Sequence, residues 1–105
     1  MAIFKDDHEH GHQHIYGGVG PDGSKWFGEG FESQKIKEGT YIIKFECPFD
    51  GIPAPVCTIT GNEWKTFNMS VAIVEVNPEY FICITSSPHQ PIDCAFTFIA
   101  FGDAK

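Results

Sequence analysis

The chain has 105 residues and a net charge of -7, with 14 Asp and Glu residues against seven basic ones. All seven basic residues are lysines. Because recognition of phosphates and of base edges relies on guanidinium groups and on positive charge, this acidic, Arg-free composition excludes nucleic acid as a partner. A membrane partner is not expected either, because the sequence has neither a basic cluster nor an apolar segment long enough to span a bilayer.

The first 14 residues form a polar, His-rich N-terminal segment, and residues 15–105 form the domain proper. The chain starts without the apolar stretch of a secretion signal. We therefore expect synthesis in the cytoplasm. The sequence leaves open whether the protein then becomes part of an extracellular or phage-like particle.

Short apolar runs separated by turn residues follow one another along residues 15–105. They predict seven strands, over residues 15–19, 25–32, 40–47, 56–60, 67–76, 79–86 and 92–101. Gly, Pro and β-branched residues recur too often for a long amphipathic helix. The predicted fold class is all-β, an antiparallel β-sandwich of about six to seven short strands.

Two of the predicted strands, 79–86 and 92–101, are apolar on both faces. In the last strand Phe96 and Phe98 share one face, while Ile99 and Phe101 lie on the other. So small a chain has little else with which to cover a second apolar face, so we expect it to be covered by another subunit. The alternative is a central strand that is covered on both faces within a monomer.

The four cysteines lie in apolar, strand-like runs and form no Cys-x-x-Cys pair; they are Cys47, Cys57, Cys83 and Cys94. Cysteine is among the most buried residue types even when it is free. The sequence therefore predicts four buried thiols. Two disulfides, in one of three pairings, are the alternative.

The sharpest chemical feature is a run of four histidines spaced two apart, here called the histidine ladder: His8, His10, His12 and His14. In an extended strand their imidazoles leave the same face, about 6.6 Å apart at Cα. Imidazole binds transition metals, so the ladder predicts a site for Zn, Fe, Ni or Cu. One His pair supplies only two metal ligands. The remaining ligands would come from nearby acidic residues, from a second His pair or from other copies of the chain. Three copies around a threefold axis, each giving one pair, would supply six nitrogens. The alternative is a flexible tail that binds metal weakly or not at all.

Enzymatic function is not indicated. The sequence has no Gly-x-Ser-x-Gly element and no phosphate-binding loop. The His-x-His pair near a Gly-rich turn is faintly similar to the first cupin motif, but Ile15, Tyr16 and Gly17 stand where that motif needs a Glu. We expect a non-enzymatic protein and keep a cupin-like metalloenzyme as a third alternative.

The turn and strand patterns between residues 18 and 102 resemble those of the trimeric tail-fibre-tip and H-type-lectin-like sandwich domains of phage-derived and bacterial proteins. The segments that carry the resemblance are Gly20-Pro21-Asp22-Gly23, Gly28-Glu29-Gly30-Phe31, Gly39-Thr40-Tyr41-Ile42-Ile43-Lys44-Phe45, Pro48-Phe49, Pro53-Ala54-Pro55-Val56 and Asp93 to Gly102. The resemblance implies a homotrimer. It also implies metal binding by His-x-His pairs on a threefold axis, which His10 and His12 would match.

Some members of these families bind sugars, so a carbohydrate is a candidate partner, but the resemblance identifies neither the ligand nor the residues that would bind it. Trp26 and Trp64 are candidate platforms for a sugar ring, and Asn62 lies beside Trp64 in a polar loop. Each Trp could instead fill the core or an interface. The favoured function is thus a homotrimeric metal-binding module with glycan or surface-ligand recognition. The second alternative is a purely structural or assembly module of a phage-like or secretion-related particle.

Overall fold

The structure, a computed structural model, describes residues 11–62 and 66–105 and the backbone of residues 2–5. These residues form nine strands, in chain order β1 Ala2–Lys5, β2 Gly11–Val19, β3 Lys25–Gly28, β4 Phe31–Lys37, β5 Thr40–Phe45, β6 Ala54–Ile59, β7 Ser70–Val76, β8 Tyr80–Ser86 and β9 Phe96–Asp103.

The strands form two antiparallel sheets. The first has the order β1-β2-β9-β6, and β3 joins it on the same edge of β2 as β1. β1 pairs with residues 11–14 and β3 with residues 17–19. The second sheet has the order β4-β5-β8-β7. The prediction of an all-β, antiparallel fold is confirmed.

The two sheets face each other across an aromatic core. Phe98 of β9 makes edge-to-face contacts with Phe31 and Phe81 of the second sheet, at centroid distances of 4.9 and 5.3 Å. Tyr41 and Phe96 meet in the same way at 5.2 Å. Such contacts join the inner faces of a sandwich and bury large apolar areas.

The predicted alternation within strands is confirmed for the core. Tyr41, Ile43 and Phe45 of β5 are buried on one face, as are Phe96 and Phe98 of β9. Backbone pairing and the period of two place these side chains between the sheets.

One predicted strand is divided in the structure. The segment 25–32 forms two strands, because the chain passes from the first sheet to the second at Gly28 and Gly30. These residues have φ angles of 103° and 89°, which glycine adopts at little cost and other residues rarely adopt. The boundary expected between residues 14 and 15 falls inside β2, which begins at Gly11.

The prediction of four buried thiols is wrong for Cys47 and only partly right for Cys57. β5 ends at Phe45, so Cys47 lies in the following turn and is exposed. Cys57 is half-buried on the edge strand β6, whereas Cys83 and Cys94 are buried. All four are free thiols.

Candidate functional site

Two histidines of the ladder lie on the outer side of the first sheet. His12 and His14 are both in β2, and Phe101 of β9 pairs with His14 in register. The Phe101 ring is stacked with both imidazoles, at centroid distances of 5.7 Å from His12 and 6.3 Å from His14. His12 Nδ1 also lies 3.5 Å from Asp103 Oδ1. A paired strand, rather than a flexible tail, therefore holds these two imidazoles.

The rest of the ladder, His8 and His10, lies outside the described residues. Within the described part of the chain, no three His, Cys, Asp or Glu side chains come together closely enough to hold a metal ion. His12, with Asp103 beside it, and His14 on the same face are therefore not a complete metal site within one chain.

The outer side of the first sheet continues from the histidines as an apolar surface, which we call the apolar face. Cross-strand pairing places Tyr16, Ile99 and Val56 in one row across β2, β9 and β6. Phe27 of β3 pairs with Gly18 on the same side, and its ring lies where a Gly18 side chain would be. Tyr16, Phe27, Val56, Ile99 and Phe101 each leave between 45% and 59% of their surface exposed.

The outer side of the second sheet has a different character. Ile42, Ile82 and Ile84 form its apolar stripe, and all three are half-buried. Charged side chains flank them: Lys44 pairs in register with Glu32, and Tyr80 donates a hydrogen bond to Glu75. In the strands of the second sheet Ile36 and Val74 are also exposed, but the first sheet exposes more large aromatic and aliphatic side chains, with Glu29 lining the same hollow as Tyr16 and Phe27.

A cleft opens at the other end of the sandwich from the histidines. We call it the end cleft. β9 runs from its edge to Asp103 beside His12, about 23 Å for a strand of eight residues. The end cleft has a volume of about 580 Å³, within the usual size range for small-molecule sites. Its lining includes Trp26, Asn62, Thr66, Asn68, Ser87 and Asp93.

The end cleft brings together two of the three residues predicted to bind a ligand. Trp26 and Asn62 both line it, although 36 positions separate them in the sequence. Trp64 lies outside the described residues. The sequence pattern did not identify Asn68, because the strand predicted over 67–76 begins only at Ser70 and leaves Asn68 in the preceding loop.

Backbone contacts fix the position of the Trp26 indole. A Cβ atom at Gly20 would lie 2.5 Å from Trp26 Nε1, so the ring rests directly against the Gly20 backbone. About half of Trp26 remains exposed. The indole is therefore held on one side and accessible to a ligand on its remaining surface.

Asp93 ties the lining of the end cleft to the second sheet. Its carboxylate accepts hydrogen bonds from Lys35 Nζ and from the Gly39 backbone N–H, each at 2.7 Å. Partial burial acts to raise the pKa of Asp93, but these two hydrogen bonds and the Lys35 charge outweigh it and hold the pKa below its usual range. Asp93 is thus an ionised, paired carboxylate at neutral pH.

Tyr41 secures the same region from inside the sandwich. Its hydroxyl donates to the Pro21 carbonyl at 2.8 Å and accepts from the Cys94 N–H at 3.2 Å. Burial raises the pKa of Tyr41 to about 12, because ionisation would place a charge in the core. Pro21 and Cys94 both line the end cleft, so this buried hydroxyl fixes two segments of its lining.

Comparison with known proteins adds no relative: no family model, no curated protein and no solved structure matches the chain. The class that the fold defines is an all-β protein of two antiparallel sheets packed face to face. No helix among the described residues is long and apolar enough to cross a membrane.

Proposed function

We propose that the protein is a non-enzymatic homotrimeric module that self-associates through its apolar face and binds a transition metal at the histidine end of that face. The observation that carries the proposal is the continuity of the surface. His12 and His14 stack on Phe101, and Phe101 belongs to the same strand as Ile99, at the centre of the apolar face.

The apolar face carries few of the chain's charges, so it is the surface through which a second copy of the same chain meets the least repulsion. The chain carries a net charge of -7, so identical copies repel one another over most of their surface. Among the described residues, the acidic groups at the apolar face are Asp103, at its histidine end, and Glu29, beside Tyr16 and Phe27. Two copies can therefore approach through this face with little repulsion and remove its aromatic side chains from water.

Metal binding follows from the same arrangement. One copy offers His12 and His14, with Asp103 beside them, which is fewer groups than the four to six ligands that transition metals take. Three copies meeting at their histidine ends would supply six imidazoles. The metal would then join the subunits, and its identity among Zn, Fe, Ni and Cu would depend on the geometry of the assembled ligands.

Light scattering and elemental analysis of protein prepared without an affinity tag test this proposal. We expect three times the 11.7 kDa chain mass and stoichiometric metal. The double variant His12→Ala/His14→Ala should lose the metal, whereas His89→Ala, a change at an exposed loop histidine, should retain it. Acidification should also release the metal, because ligand imidazoles must be deprotonated. A monomer without metal would overturn the proposal.

A structural or assembly module without a metal requirement is the second candidate. The specific observation in its favour is that the apolar face alone provides an association surface, with the histidines at its margin. A wild-type trimer whose mass is unchanged in the His12→Ala/His14→Ala variant, and which carries no metal, would establish this alternative.

A further inference from the structure

We infer that Asp50 is a site of spontaneous isomerisation to isoaspartate in the folded protein, whereas the other Asp-Gly pair of the chain is protected. The two pairs are Asp50-Gly51, in the loop between β5 and β6, and Asp22-Gly23, in the turn between β2 and β3. An unfolded chain exposes both pairs alike, so any difference in rate must come from the folded structure. The inference concerns neither the apolar face nor the histidines and does not depend on the proposed self-association.

Isomerisation needs no enzyme and no co-reactant. The backbone nitrogen of the glycine attacks the carboxyl carbon of the Asp side chain; an N–C bond closes a succinimide ring, and the carboxyl OH leaves with the amide proton as one water. Hydrolysis then returns one water. Cleavage at the side-chain carbonyl restores Asp, and cleavage at the main-chain carbonyl gives isoaspartate, in which the main chain runs through the former side chain. Glycine permits this best, because it has no Cβ to obstruct the attack or restrict the backbone.

The Asp50-Gly51 pair is free to close the ring. Both residues are exposed, and neither the Asp50 carboxylate nor the Gly51 N–H forms a hydrogen bond or an ion pair with another described residue. A Cβ atom built at Gly51 would have no other part of the described chain within 4 Å. The attacking nitrogen, the carboxyl group and the space for the ring are therefore all available in the folded protein.

Hydrogen bonds on both reacting groups hold the Asp22-Gly23 pair. Asp22 Oδ1 accepts hydrogen bonds from the Ser24 N–H and hydroxyl, at 3.0 and 2.7 Å. The Gly23 N–H donates to the Gly20 carbonyl at 2.9 Å. Gly23 is also buried, and a Cβ atom there would lie 2.4 Å from the Lys35 nitrogen. Ring closure at Asp22 therefore requires the turn to open first.

The ionisation of Asp22 adds to its protection. The OH that leaves as water is present only in the protonated carboxyl group. Hydrogen bonds from the Ser24 hydroxyl and then from its N–H stabilise the carboxylate and lower the pKa of Asp22. At a given pH, Asp22 is therefore protonated less often than an ordinary exposed Asp.

The fold can accept the product at Asp50. Isoaspartate lengthens the main chain between the Asp50 Cα and Gly51. The contacts that fix this end of the loop come before that point: the Asp50 N–H donates to the Asp103 carbonyl at 2.9 Å, and Phe49 pairs with Ala104. The chain is next buried at Pro53. The intervening exposed residues can absorb the extra atom, so isoaspartate should accumulate without unfolding the protein.

The test is a time course of the full wild-type chain, incubated at mildly acidic pH in buffer and in concentrated urea. A protease that cleaves before Asp but not before isoaspartate, followed by mass spectrometry, measures the rate at each pair, and labelling by an isoaspartate-specific methyltransferase measures the total. In buffer we expect Asp50 to isomerise about tenfold faster than Asp22 or more, because the hydrogen bonds at Asp22 must open first. In urea the two pairs should react at the same rate.

Three variants locate the cause of the difference. Asp50→Glu keeps the charge but would have to close a larger ring, so the signal at this position should disappear. Ser24→Ala removes the shorter hydrogen bond to Asp22 and should raise the rate at Asp22 several-fold in buffer, with no change at Asp50. Ser70→Ala is the matched control: it removes an exposed hydroxyl in β7 and should change neither rate.

Circular dichroism should confirm that each variant keeps the wild-type fold. If Ser24→Ala does not fold, the comparison of the wild type in buffer and in urea decides alone. Equal rates at Asp50 and Asp22 in buffer would overturn the inference. So would an Asp50 that reacts in urea but not in buffer, or a folded Ser24→Ala protein with an unchanged rate at Asp22.

Discussion

Replacing Ile99 by lysine is the most direct test of the apolar face. Ile99 lies in the middle row of that face, between Tyr16 and Val56, and its side chain points away from the core. The change therefore places a charge at the centre of the proposed interface without altering the packing between the sheets. It should leave the fold of each subunit intact.

The expected effect is large. Covering the 45% of Ile99 that is exposed would remove about 80 Å² of apolar surface from water, or about 2 kcal/mol at about 25 cal/mol/Å². Three copies in a trimer lose about 6 kcal/mol together, which is about four orders of magnitude in the association constant. Desolvation of the three new ammonium groups adds to this loss.

Light scattering over a wide range of concentrations measures the result, and Ile36→Lys provides the matched control. Ile36 is also an exposed isoleucine in a strand, but it lies in β4 of the second sheet. We expect the wild type and Ile36→Lys to have three times the chain mass, and Ile99→Lys to have the 11.7 kDa mass of one chain with an unchanged circular dichroism spectrum. An Ile99→Lys protein that keeps the wild-type mass would refute the assignment of the interface, and so would dissociation of both variants.

Three further predictions concern the interior and the cysteines. The pKa of Tyr41 is about 12 in the folded state against an ordinary value of 10.0, so its contribution to stability is complete below pH 10 and is lost as the pH rises towards 12. Urea unfolding should show this loss in the wild type and a smaller one in Tyr41→Phe. At neutral pH the Tyr41→Phe variant should be less stable by about 1–3 kcal/mol, because the Cys94 N–H loses its acceptor. The lowered pKa of Asp93 means that its contribution is present above its unfolded pKa and is lost as the pH falls through the folded one, so Asp93→Asn should flatten the acid limb of the stability profile, and an unchanged limb would contradict its role. A thiol reagent applied to the native protein should modify Cys47 first, as mass spectrometry can show, whereas Cys83 should react only on unfolding, since its hydrogen bond with Cys57 and its burial raise its pKa.

The local patterns of the sequence predicted much of the fold. The alternation in β5 and β9 identified their buried faces, because a strand turns successive side chains to opposite sides wherever it lies. The spacing of the histidine ladder likewise predicted a shared face, and His12 and His14 share one in β2. Turn residues placed most strand boundaries within a few positions. The exceptions are β1, which was not predicted, the start of β2 within the His-rich segment, and the end of β4, which runs to Lys37 instead of residue 32.

The pairing of strands that are distant in the sequence was decided by the tertiary structure. The period of two gives Ile99 and Phe101 an outer face, but only the position of β9 between β2 and β6 joins them to Tyr16 and Val56 in one surface. The end cleft has the same origin, since Trp26 of β3 and Asn62 after β6 line one cleft because β2 and β9 hold these two strands in the same sheet. The sequence by itself therefore determined which residue types face outward and which inward. Non-local pairing and packing alone determined which outward residues form the apolar face, the histidine end and the end cleft.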